Sequence, residues 1–99
     1  MAIDEKLLED LKQAVRTKAK SANDEIGDLA EACRMDLIIK GGVYVPEDFS
    51  DPLAKQALKL YCKGYYGYDK DQEKFRAAYA ALRDSMALSG DYRKADADG

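Results

Sequence analysis

The sequence predicts an all-α fold, a small bundle of four helices, and three observations carry that expectation. Apolar residues recur at three- and four-residue spacing in four separate stretches, the period of one helix face. Glycine (seven) and proline (two) are few, and most of them fall between those stretches or at their edges. Short polar residues stand where helices need caps. At 99 residues, with 46% hydrophobic and 35% charged positions, the chain suits one core and can bury roughly two-thirds of its unfolded surface.

The first helix is expected from about Asp4 to Ala19. Ile3, Leu7, Leu8, Leu11, Ala14 and Val15 form its inward side, with Glu5, Glu9, Lys12 and Arg16 opposite. Ser21-Ala22-Asn23-Asp24 makes the break, because short polar side chains accept bonds from the free N–H groups of a following helix. The second helix then runs to about Lys40 on the stripe Ile26, Leu29, Ala30, Cys33 and Leu37. Asp24, Glu25 and Asp28 sit in its first turn, where the dipole favours negative charge. Gly41-Gly42 ends it by supplying a left-handed residue.

Val43 to Ser50 is the longest non-helical connection, and its alternating apolar start suits an extended segment or short strand. Asp51-Pro52 marks the sharpest helix start, an N-cap followed by proline where a missing N–H costs nothing. The third helix is expected to about Tyr66, with a wide apolar arc of Leu53, Ala54, Ala57, Leu58, Leu60, Tyr61, Gly64 and Tyr65. Such an arc predicts a central helix with more than one neighbour. After a turn at 67–71, the fourth helix spans about Gln72 to Leu88, with Phe75, Ala78, Tyr79, Leu82 and Met86 in register and Ser89-Gly90 as its stop. Residues from Asp91 onward have little to bury and are expected to be mobile. The domain reading is therefore 1–92 as one helical domain and 93–99 as a flexible C-terminal tail.

Composition excludes several functions. Sixteen Lys and Arg stand against 19 Asp and Glu, a net charge of −3, which disfavours sequence-independent binding to phosphate backbones. With no histidine and two cysteines, Cys33 and Cys62, one chain holds neither a four-ligand zinc site nor a His-dependent triad. Two buried thiols are the expected state in a reducing cytosol, and sequence alone leaves a single disulfide open. There is no 18-residue apolar run, and Asp4 and Glu5 follow directly on Met1-Ala2-Ile3, so neither a membrane span nor a signal peptide is expected.

The chemical clusters favour structural readings. Asp69, Asp71 and Glu73, and Glu47, Asp48 and Asp51, lack the spacing of a calcium loop and are better explained as caps and solvated carboxylates. Tyr61, Tyr65, Tyr66 and Tyr68 alternate with Lys59 and Lys63, but helical spacing puts Tyr61 and Tyr65 on the apolar arc, in core positions. Gly41-Gly42 and Gly64 with Gly67 lack the Lys-Ser/Thr of a phosphate loop. Arg16, Lys18 and Lys20 suit the negative end of the first helix. No catalytic, metal or cofactor residue is predicted.

One feature resists a bland reading. Met35, Ile38 and Ile39 lie off the inward stripe of the second helix, and Val43, Tyr44 and Val45 follow at once. A domain this small rarely buries both faces of a helix, so these six residues are the candidate protein–protein interface.

Taken together, the segments Asn23 to Cys33 with Asp36-Leu37 and Gly42-Val43, Asp51-Pro52-Leu53 leading to Leu60-Tyr61-Cys62-Lys63, Tyr66-Gly67-Tyr68-Asp69, Glu73-Lys74-Phe75, Tyr79, Leu82, and Leu88-Ser89-Gly90-Asp91-Tyr92 resemble the head-to-tail connector, or DNA-packaging adaptor, family of tailed bacteriophages. The similar segments lie in order within a span of about 70 of the 99 residues, from Asn23 to Tyr92, with the first helix the least typical part. Their specificity lies in joint occurrence, since each consists of caps, turns and core positions. The resemblance implies a non-enzymatic virion protein at the head–tail junction, made in the bacterial host cytoplasm. It implies a ring, a dodecamer in the virion, that contacts the portal protein and tail or head-closure proteins and lets DNA pass without sequence-specific binding. No cofactor is implied, and no membrane. The alternative from another class is a small helical nucleic-acid-binding regulatory protein using Lys55, Lys59 and Lys63; an enzyme is a distant third.

Overall fold

Four helices form, and among the described residues there is no strand: α1 is Glu5–Ala14, α2 Ala22–Gly41, α3 Pro52–Tyr65 and α4 Gln72–Ser89. The structure, a computed structural model, describes residues 2–67 and 70–93. α3 and α4 form the closest pair, α2 packs on both, and α1 lies across α2 and α3. The Cα radius of gyration, 13.2 Å, is that of one packed unit of this length.

α1 is shorter than its periodicity predicts, and the reason is local. Arg16 adopts φ 60, so the chain leaves the helix through a complete Schellman motif: Arg16 N–H bonds the Gln13 carbonyl (3.1 Å) and Thr17 N–H the Lys12 carbonyl (2.9 Å). A left-handed arginine is easy to miss, because glycine is the usual signal. The basic run Arg16, Lys18, Lys20 therefore lies beyond the helix, and only Lys12 occupies the last turn. Lys12, expected on the outer side, is 5% exposed, with its ammonium 4.0 Å from Glu9.

α2 begins at Ala22, earlier than a cap at Asn23 or Asp24 would give, because Ala19-Lys20-Ser21 already turns: the Ala22 and Asn23 amides bond the Ala19 and Lys20 carbonyls. It ends as expected. Gly42 has φ 65, its N–H bonds the Ile38 carbonyl at 3.1 Å, and the Val43 amide reaches Leu37 at 2.8 Å. α3 starts on the predicted cap: Asp51 Oδ2 accepts from the Ala54 amide at 3.0 Å, with Pro52 opening the helix.

The core gathers Ile3, Leu7 and Leu11, the α2 stripe Ile26, Ala30, Cys33 and Leu37, then Val43, Val45 and Phe49, Ala54, Ala57, Leu58 and Cys62, and Tyr79 with Met86. Burying a side chain such as Leu37 or Phe49 contributes roughly 1.5–3 kcal/mol. In α4 only Tyr79 and Met86 of the predicted register are fully buried; Phe75 and Leu82 are half-buried and Ala78 is exposed. Gly64 permits the α3–α4 approach, since a Cβ there would meet Arg76 Cγ at 2.8 Å and Arg76 N at 3.2 Å.

Val43 to Ser50 is the expected non-helical connection and takes no strand; a turn closes it, with the Phe49 amide on the Pro46 carbonyl (3.0 Å) and Phe49 at φ 54. The expectation of mobility from Asp91 onward is corrected. Asp91 does not begin a free tail, because Tyr92 packs against the core, its carbonyl accepts from the Tyr44 amide (2.7 Å) and its hydroxyl donates to Asp51 Oδ2 (3.0 Å). The remainder of the expected tail, 94–99, lies outside the described residues, as do Tyr68 and Asp69.

Candidate functional site

The six residues of the candidate interface divide. Val43 (0% exposed) and Val45 (4%) belong to the core, so their place in an interface is corrected: α2 ends in a left-handed turn at Gly42, and the chain that follows buries both valines. Ile38 is half-buried. Met35 (52%), Ile39 (71%) and Tyr44 (37%) stand exposed, and on α2 Met35 and Ile39 continue the side opposite Ile26, Ala30, Cys33 and Leu37.

Toward the α2 N-terminus that outer side becomes acidic. Asp24, Asp28 and Glu31 are exposed there, three or four residues apart, and lead into Met35. An open groove of about 630 Å³ runs beside them, floored by Ile3, Ala30 and Phe49 and rimmed by Asp24, Asp28, Glu31, Glu47 and Arg34. Arg34 is engaged within the fold: its Nε donates to the Val45 carbonyl at 3.0 Å. Four carboxylates over an apolar floor suit a segment that is cationic and partly apolar. The lining contains no serine, threonine, cysteine, lysine or histidine.

A second constellation, which sequence reasoning missed, joins α2 to α4. The Tyr79 hydroxyl donates to Asp36 Oδ2 at 2.6 Å, Arg83 Nη1 donates to the same oxygen at 3.0 Å, and Lys40 stands 3.7 Å from Oδ1. Burial pushes the Asp36 carboxyl up, but the bonds from Tyr79 and Arg83 and the charges of Arg83 and Lys40 outweigh it, leaving Asp36 below the usual carboxylate range. Burial, then the bond to Asp36, drives the Tyr79 hydroxyl far upward. Arg83 also lies 5.8 Å from the Tyr79 ring centroid and bonds Asp84. This is an interhelical clamp: its acid is ionised, its phenol neutral, and Asp36 and Arg83 are largely shielded while Lys40 reaches solvent. The signal available in sequence was weak, a carboxylate at the margin of the α2 stripe and an arginine four residues after a core tyrosine.

Cys33 and Cys62 are free and buried. Burial raises both thiols, Cys62 to about 12, so neither carries thiolate at neutral pH, the form that attacks or binds metal. Among the described residues no cluster of three metal-binding side chains occurs, and no helix is long and apolar enough to cross a membrane. Of the acidic groups at 47, 48 and 51 the last two serve the backbone: Asp48 Oδ1 accepts from the Ser50 amide, and Asp51 caps α3.

The tyrosines part company. Tyr61 packs on the core, edge-on to Tyr79 with centroids 5.0 Å apart. Tyr65, expected in the core, is 45% exposed, since α3 ends at that residue; it leans on Tyr61 at 4.5 Å and under Arg76 at 4.5 Å. Lys63 covers the Phe75 ring at 5.2 Å. No protein-family model, no curated protein and no solved structure matches the chain.

Proposed function

We propose that this protein is a structural subunit of a phage head–tail connector, a ring that joins the capsid portal to the tail and continues the DNA channel. The observation that carries the reading is the outer side of α2, where Met35 and Ile39 remain exposed on a domain whose core is otherwise closed. Exposed apolar groups of this kind, flanked by charge, suit contact with other protein surfaces. The sequence resemblance over Asn23 to Tyr92 supports the same reading. A ring of subunits with net charge −3 also offers DNA a channel with little to adhere to.

Native mass determination of the protein alone and mixed with the portal protein of its phage tests this. A discrete ring on the portal is the expected result. Absence of any association, with a folded protein confirmed by circular dichroism, would overturn it.

A second reading has one observation in its favour. Lys55, Lys59 and Lys63 recur every fourth residue on α3, Lys55 exposed and the other two half-buried, and among the described residues Lys55 and Lys59 stand in no ion pair. A nucleic-acid-binding regulatory protein could use that stripe. A salt-sensitive mobility shift with duplex DNA, lost on replacing Lys55 and Lys59 by glutamate, would favour it over the connector.

A further inference from the structure

The groove beside α2 carries charge of one sign along a measurable length. Asp24, Asp28, Glu31 and Met35 line it at intervals of three and four residues, each of them exposed. That wall runs about 16 Å at the α-helical rise. Glu47, from the connection between α2 and α3, adds a fourth exposed carboxylate. Against these the lining sets Arg34, whose Nε donates to the Val45 carbonyl. None of the four acids stands in an ion pair among the described residues, and no three of them come close enough to hold one metal ion. The helix dipole accounts for Asp24 in the first turn of α2, but its effect fades within that turn and does not reach Glu31 or Glu47.

We propose that this groove takes an extended, basic segment of a different protein, with lysines or arginines facing Asp24, Asp28 and Glu31 and an apolar side chain at one end covering Met35. Alternate residues of an extended chain point the same way and recur about every 6.6 Å. The acids on α2 recur about every 4.5 to 6 Å, and the long stem of a lysine absorbs the difference. Charge complementarity selects the partner: a row of separated carboxylates repels nucleic acid and attracts a row of separated cations. A second copy of this chain is a poorer occupant. Its exposed basic run, Arg16, Lys18 and Lys20, answers the charge, but the neighbouring Val15 packs against its own core and leaves Met35 uncovered. The inference goes beyond the connector reading and does not need it, because a ring subunit and a lone chain carry the same groove. Exposed ion pairs are individually weak, so the contact is sensitive to salt and leans on Met35 for its remainder.

Fluorescence anisotropy of the full chain with a labelled synthetic peptide tests it. The probe carries lysines on alternate positions followed by a leucine, with alanines between. A scrambled peptide of the same composition and a peptide with glutamates for the lysines are its controls. The probe should bind saturably and one to one at low salt, weaken severalfold as salt rises, and outbind the scrambled peptide severalfold. Asp28→Lys with Glu31→Lys should weaken it by about tenfold and create binding to the glutamate peptide. Met35→Ser should cost severalfold and remove the preference for leucine over alanine. All three positions are exposed, so circular dichroism should be unchanged. No saturable binding, equal binding of the scrambled peptide, or indifference to the charge reversal would each overturn the proposal. So would displacement of the probe by equimolar calcium, or self-association abolished by the same reversal, which would make the occupant a metal ion or a second copy. Portal association is read separately by native mass: its loss with peptide binding intact removes the connector reading alone, and the converse removes this site alone.

Discussion

The two sides of α2 are woven from the same twenty residues, and they obey different rules. Ile26, Cys33 and Leu37 are fully buried, while Met35 and Ile39, of similar hydrophobicity, are 52% and 71% exposed. Position, not residue type, separates them: a period of 3.6 residues sends 26, 30, 33 and 37 to one side and 28, 31, 35 and 39 to the other. On the inner side each residue has a fixed neighbour. On the outer side, apolar residues sit beside acids that make no ion pair among the described residues.

Substitutions on the inner side should have the largest effect. Leu37→Ala should destabilise the fold by about 2–5 kcal/mol, seen as a lowered midpoint in urea, because the cavity lies where nothing can collapse into it cheaply. An effect below that range would mean the inner side is looser than its burial indicates.

Asp36 lies at the border of the two sides and should give the next largest change. Asp36→Asn leaves Tyr79 and Arg83 without their anionic partner and should cost about 1–3 kcal/mol. The pH dependence has a definite sign: because the folded carboxyl titrates below its unfolded value, its contribution is present above the ordinary carboxylate pKa of about 4 and is lost as pH falls through the lower folded one. The acid limb of a stability profile should therefore flatten in the variant.

Gly42→Ala probes the exit from α2. Open space surrounds that position, so only the left-handed backbone opposes a side chain, at about 1–2 kcal/mol in thermal unfolding. Smallest of all, Ile39→Ser should change stability by no more than about 0.5 kcal/mol while weakening portal association measured by native mass. A large loss of stability there would make Ile39 a core residue and dissolve the contrast between the sides.

Much of this fold was legible because local signals agreed with one another. Asp51-Pro52 placed a helix start to the residue and Gly41-Gly42 a helix end to within one, and the α2 stripe placed much of the core. What escaped was decided by tertiary contact. Arg16 ends α1 without a glycine, Val43 and Val45 turn into the core, and Tyr92 finds partners far away in sequence. The candidate site was half legible. Periodicity exposed Met35 and Ile39, whereas Val43 and Val45 follow a turn, where helical phase no longer predicts direction.

Asp51 Oδ2 receives both the Ala54 amide that opens α3 and the hydroxyl of Tyr92. Removing Tyr92 should thus quicken hydrogen exchange at Ala54, nearly forty positions upstream in the chain. Whatever pulls on the C-terminus is felt first at the root of the central helix, so an extension gripped by a neighbour would tug on the scaffold itself and not on a loose end.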